Sequence, residues 1–123
     1  MTHFNPDQTA LLVWGVTVHV VADWFLQNHW MATNKTSLKH PAAYVHSGVH
    51  GLLSLIVFPW QACVVLFVAH LLIDLRVPLA WWGKLVGQST AEQIGPAYIP
   101  FAFLRDQAAH WLVIALVAWG CGR

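Results

Sequence analysis

No Asp, Glu, Lys or Arg occurs from Pro41 to Ile73. A run of that length is too long for one element of a soluble core, and divided by a turn it crosses a bilayer twice at about 20 residues per crossing. Pro59, Trp60 and Gln61 supply the turn. Composition agrees, since only 9% of the 123 residues are charged, against roughly 25% in an average soluble protein. Trp14, Trp24, Trp60, Trp81, Trp82 and Trp119 stand beside segment ends, as in interfacial aromatic belts. No segment alternates as a strand would, and only helices or closed barrels satisfy their backbone in lipid. The expected fold is therefore all-α, one integral membrane domain over residues 1–123, an up-and-down bundle of four transmembrane helices. They are expected at about residues 9–27, 41–58, 62–75 and 99–120. Residues 76–96 read as an interfacial loop with room for one short helix lying on the membrane.

Charge placement sets the expected orientation. The connections between the first and second and between the third and fourth segments hold Lys35, Lys39, Arg76, Lys84 and Arg105, whereas the opposite face has only Arg123. By the positive-inside bias those two connections are cytoplasmic and both termini lie outside the cytoplasm. A net charge of +1 without a basic stripe gives no case for nucleic acid. The N-terminus lacks a basic region and a small-residue cleavage site, so a cleaved signal peptide is not expected. Cys63 and Cys121 give neither a disulfide framework nor zinc-thiolate spacing and read as unpaired.

Each apolar segment carries a pair of metal-binding residue types four apart: His19 and Asp23, His46 and His50, His70 and Asp74, Asp106 and His110. On a helix, such positions lie one turn apart on the same face. Any one pair is usually a helix-end ion pair or hydrogen bond. Helices running in alternating directions, however, put all four pairs at the same, cytoplasmic level, an agreement independent of the spacing within each pair. Each Asp in hydrocarbon costs about 2.5–3.5 kcal/mol on insertion scales, so three of them require partners. Arg76 near Asp74 and Arg105 near Asp106 could pair with some, but they leave five histidines unexplained. His3, His29 and His40 fall in polar stretches and read as solvated loop residues.

Five imidazoles and three carboxylates exceed what one tetrahedral zinc uses. They suit one or two divalent ions of zinc, manganese or iron, bridged by a carboxylate where there are two. Metal-activated water makes hydrolysis the natural chemistry, with Asp23 or Asp106 bridging or serving as base and Lys35 or Arg105 holding an anionic group.

The ordered set Asp23-Trp24-Phe25-Leu26-Gln27, Trp30-Met31-Ala32, Lys35, His46 and His50, His70-Leu71-Leu72-Ile73-Asp74 and Asp106-Gln107-Ala108-Ala109-His110 resembles the family called domain of unknown function 3307. The resemblance covers nearly the whole chain. It implies a small bacterial or phage membrane protein, here in the bacterial inner membrane, and carries no activity by itself. A looser similarity to membrane-bound metal-dependent hydrolases implies His19, Asp23, His46, His50, His70, Asp74, Asp106 and His110 as ligands, with Gln27 and Lys35 beside the site. Arg76 departs from that pattern, standing where a Lys is expected and exchanging a flexible amine for a guanidinium.

The expected function is therefore an integral membrane metal-dependent hydrolase acting on a phosphoester or acyl bond of a lipid, or of a substrate presented at the cytoplasmic face, with residues 76–96 as a lid. Its partners are the lipid bilayer and such a substrate, and the lateral surface of four short helices leaves room for a homo-oligomer. Three rivals remain: a metal or proton transporter, a haem protein using two of the histidines, and a small accessory subunit of a membrane complex.

Overall fold

A computed structural model describes residues 4–122. His3, expected in a loop, and Arg123, expected as the cation of the outer face, lie outside the described residues. The first helix, α1 (Pro6–Trp24), starts on a reciprocal cap. The Asn5 side chain accepts from the Gln8 backbone N–H at 2.8 Å, and the Gln8 side chain accepts from the Asn5 N–H, also at 2.8 Å. Pro6 fits the first turn because its missing N–H would have no helical partner there. The same two side chains reach across the bundle, Asn5 donating to the Gly122 carbonyl at 2.9 Å and Gln8 to the Trp119 carbonyl at 2.7 Å. Asn5→Ala is therefore expected to cost about 1–2 kcal/mol, the upper part of the range for a lost cap, read as a lower melting temperature in detergent.

After α1, Asn28 caps the short helix α2 (His29–Asn34), accepting from the Met31 N–H at 2.9 Å. His40 then caps α3 (Pro41–Ser54), its Nδ1 accepting from the Ala42 N–H at 3.1 Å. The ring expected to be solvated is thus half-buried and built into a helix start, whereas His29 is exposed. A turn over residues 55–59 leads to α4 (Trp60–Asp74), antiparallel to α3. Arg76 adopts φ 65°, the left-handed region that breaks a helix. The next helix, α5 (Val77–Val86), leaves α4 at 66°. A one-turn helix, α6 (Ala91–Ile94), and the 3-10 turn Gly95–Ala97 lead into α7 (Tyr98–Cys121). Residues 76–96 therefore hold two short helices where a loop with a single one was expected.

Helix α1 packs on α3 and α7, and α4 packs on α3 and α7, so the four long helices stand in a ring. Their buried stripes are small or polar: Gly15, His19 and Ala22 on α1, and Ala43, His46, Ser47, His50 and Ser54 on α3. On α4 the stripe is Ala62, Cys63, Leu66, His70 and Asp74, and on α7 it is Gln107, His110, Ile114 and Ala118. Small residues let helices approach closely; a Cβ on Gly51 would stand 3.3 Å from that of Phe67. Large apolar side chains face outward instead. Ile56 and Phe25 are 77% and 79% exposed, and all eight Trp are exposed. Among the described residues, the continuous stretch Ala91–Cys121 is long and apolar enough to cross a membrane, and α4 with α5 would do so as one bent span.

Candidate metal centre

The ring of helices brings the end of α1, the middle of α3, the end of α4 and the middle of α7 to one level, and there each turns polar side chains inward. Asp23 Oδ1 lies 2.9 Å from His50 Nε2 and 3.3 Å from His46 Nε2. On the facing helix, Asp74 Oδ2 lies 2.9 Å from His70 Nε2, 3.3 Å from His46 Nε2 and 3.8 Å from Lys35 Nζ. Its other oxygen, Oδ1, is 3.3 Å from His110 Nε2. His46, fully buried, thus stands between the two carboxylates, and the rings of His50 and His70 stack with centroids 3.7 Å apart.

These contacts are short, yet His46 Nε2, His70 Nε2, His110 Nε2 and Asp74 Oδ2 are all buried and make no hydrogen bond. Buried polar atoms are ordinarily paired, and close approach without hydrogen-bond alignment is the arrangement of ligand atoms aimed at a shared point. Two overlapping groups result, Asp23 with His46, His50 and His70, and His70 with Asp74 and His110, the ligand atoms of each group lying within 4.8 Å of one another. Either group could hold a metal ion. A metal ion there would also balance charge, because two carboxylates at this depth face a single ammonium, Lys35, and an uncompensated buried charge costs several kcal/mol. Imidazole and carboxylate donors suit zinc, manganese or iron.

The surrounding hydrogen bonds orient these ligands. His110 Nδ1 lies 2.8 Å from the Asp106 carbonyl; a carbonyl only accepts, so Nδ1 carries the proton and the Nε2 lone pair faces Asp74. Gln107 donates from Nε2 to Asp23 Oδ2 at 3.2 Å, which turns its Oε1 toward His19 Nε2 at 3.3 Å. That nitrogen also lies 3.2 Å from Asp23 Oδ2. Facing two acceptors, it is a donor that holds Asp23 in place. Helix α2 carries Lys35 into reach of Asp74 because its Met31 is buried.

Of the residues singled out in the sequence, Asp23, His46, His50, His70, Asp74 and His110 fall in the two groups, while His19 lies beside them. Asp106 is also outside both groups, at the rim, its Oδ2 3.6 Å from His110 Nδ1 and its side chain 20% exposed. Gln107 was not foreseen as a site residue. Its position three residues before His110, on the same helix face, was the available signal.

Among the described residues, the centre meets a large cavity on one side and a small one of about 20 Å³, lined in part by His19, His50, His70 and His110, on the other. Asp23, Asp106 and Gln107 contribute to the wall of a cavity of about 630 Å³ that also takes in Gln27, Lys35, Arg76 and Arg105. On the opposite side Phe58, Leu66, Ile114 and Ala118 form a buried apolar layer.

The family model described as "Protein of unknown function (DUF3307)" matches residues 11–122, nearly the whole chain. Neither the curated proteins nor the solved structures contain a match to it.

Proposed function

The chain belongs to the DUF3307 family, and from its His/Asp centre we propose an integral membrane metal-dependent hydrolase that cleaves a phosphoester or acyl bond at the cytoplasmic face. The observation that carries this reading is the unequal opening of the centre. A buried ligand cluster that meets a cavity of about 630 Å³ at Asp23 and Asp106, with only about 20 Å³ of space toward Leu66 and Ile114 behind it, suits a reaction chamber. A transporter needs a second exit through that apolar layer. Membrane insertion as four spans is supported by the inverted distribution of the bundle, polar within and apolar without, which water would penalise and lipid would not. The cavity opens at the end of the bundle near Lys35, Arg76 and Arg105, the end that the positive-inside bias assigns to the cytoplasm.

In this reading, two ions held by the overlapping groups would activate water and stabilise charge on the substrate oxygen. Asp106, partly exposed beside the centre, is placed to accept a proton from the attacking water. Lys35 and Arg105 neutralise the developing charge. Helix α5 covers one side of the cavity through Leu79 and Ala80, and its exposed Trp81 and Trp82 suit an interfacial anchor.

The test is turnover of chromogenic phosphoesters and acyl esters by detergent-purified protein supplied with zinc, manganese or iron. Metal-dependent hydrolysis is expected, reduced at least roughly 100-fold in Asp106→Asn, the lower end of what a positioned base contributes. No metal-dependent turnover across both substrate classes would sink the hydrolase reading, and an Asp106→Asn variant as active as the parent would remove Asp106 as its base.

A further inference from the structure

The cavity beside the metal centre has two unlike walls, and their chemistry narrows the substrate. One part of the lining holds three cations, Lys35, the exposed Arg76 and Arg105, against two carboxylates, Asp23 and Asp106. Lys35 is engaged with Asp74, and Asp23 with histidines. Arg76 and Arg105 meet no carboxylate within ion-pair distance among the described residues. Arg105 is instead held by neutral partners, donating from Nη1 to Gln88 Oε1 at 2.8 Å and lying 5.3 Å over the Phe101 ring. Its Nε is buried without a hydrogen-bond partner. A guanidinium fixed this way, with its Nη2 making no hydrogen bond among the described residues and no counter-charge, is a preformed anion receptor. Gly83 lets α5 close over it, since a Cβ there would stand 3.0 Å from Arg105 Nη1.

The other wall is Trp24, Leu79, Ile99 and Phe103. The Trp24 and Phe103 rings meet edge to face at 5.8 Å. Trp24 is 62% and Ile99 75% exposed, so this wall reaches the outside of the bundle. A small hydrophilic anion would leave it unused, and a neutral ester would leave two guanidiniums unanswered.

We infer that the cavity binds a phosphorylated amphiphile, its phosphate between Arg76, Arg105 and the metal centre and its apolar chain along Trp24, Leu79, Ile99 and Phe103. This rests on the hydrolase reading only for what happens next, since binding depends on the arginines. Of the two bond types proposed above, it selects the phosphoester. A membrane lipid with a terminal phosphate and a soluble organic phosphate share the anionic part. The apolar wall favours the lipid.

The experiment is calorimetric titration of the full-length chain in detergent after chelation, so that neither metal nor turnover enters. Four probes are compared: dioctanoyl phosphatidic acid, dioctanoylglycerol, glycerol 3-phosphate and inorganic phosphate. The phosphatidic acid is expected to bind at least tenfold more tightly than each of the others. Arg76→Asn, chosen because asparagine tolerates positive φ, and Arg105→Gln should each weaken it at least fivefold, with Arg105→Lys in between. Equal affinity for dioctanoylglycerol, or unchanged affinity in both folded arginine variants, would overturn the anion receptor. Equal affinity for glycerol 3-phosphate or inorganic phosphate would overturn the amphiphile in favour of a soluble phosphate. Binding as expected in a protein that shows no metal-dependent turnover would sink the hydrolase and leave this inference standing. Turnover of acyl esters without phosphatidic acid binding would do the reverse.

Discussion

Replacing His70 with Ala should strip at least one ion from the metal centre of detergent-purified protein, which as purified should carry roughly two ions of zinc, manganese or iron per chain, as in two-metal hydrolytic sites. His70 belongs to both ligand groups, but the nitrogen it turns into the centre, Nε2, 2.9 Å from Asp74, has one lone pair and holds one ion at a time. Its loss leaves Asp23, His46 and His50 on one side and only Asp74 and His110 on the other. His110→Ala, by contrast, touches one group alone and should leave about half the metal. Losing an outer-shell partner of a metal site typically costs 10–100-fold in affinity; losing a direct ligand should cost the ion it holds more than about 100-fold. Elemental mass spectrometry on both variants reads the result. Chelation of the parent should also lower its melting temperature, because a ligand at about a thousandfold its dissociation constant adds about 4 kcal/mol to the folded state. Complete loss of metal in both variants would mean one ion using ligands from both groups. Full metal content in His70→Ala would remove His70 from the ligands.

How much of the molecule is legible in its sequence depends on which physical signal is local. The spacing of His19, Asp23, His46, His50, His70, Asp74, Asp106 and His110 is a property of the helix, so the convergence of four pairs at one level follows from the residue pattern alone. What the spacing does not contain is rotation about each helix axis. On α7, residues 107, 110, 114 and 118 turn inward. Asp106 is thereby carried to the rim and Gln107 into the centre, an exchange of neighbours that a shift of one residue decides. His19 is on the buried stripe of α1, but Gln107 makes its Nε2 a donor, and that depends on a partner 88 residues away. The start of α1 was expected at about Thr9 because the apolar pattern begins there; the Asn5 and Gln8 cap moves it to Pro6. Helix α2 escaped the pattern altogether, since it is six residues long and held by one cap and one buried Met. Helix α5 lies in the least hydrophobic stretch and was expected only in outline. Its direction is set by Arg76 in the left-handed region, a conformation no sequence period reports.

The metal centre should also be lost by a change that touches none of its ligands. Gly15 lies one helical turn before His19, where α1 crosses α7, and a Cβ placed on it would stand 2.7 Å from Ile114 Cγ2 and 2.9 Å from Phe58 Cζ. Both neighbours belong to the buried apolar layer behind the centre, so neither can swing into open space. Gly15→Val must therefore push α1 away from α7, at the roughly 1–3 kcal/mol usual for overpacking. The damage reaches further than stability. Asp23 is held by Gln107 across that same crossing, at 3.2 Å, and His19 by Gln107 at 3.3 Å; a separation of even half an ångström breaks contacts that start near the hydrogen-bond limit. Gly15→Val should accordingly bind metal at least about tenfold more weakly, the scale of losing an outer-shell partner, while retaining its helical circular dichroism. Because Ile114 Cγ2 makes the closest clash, Gly15→Val combined with Ile114→Ala should recover part of the metal, and the two changes should be strongly non-additive, as contacting residues are. Full metal content in Gly15→Val would show that the carboxylate of Asp23 is positioned by its histidines alone. Additive losses in the double variant would place the fault in general destabilisation and separate the α1–α7 crossing from the geometry of the centre.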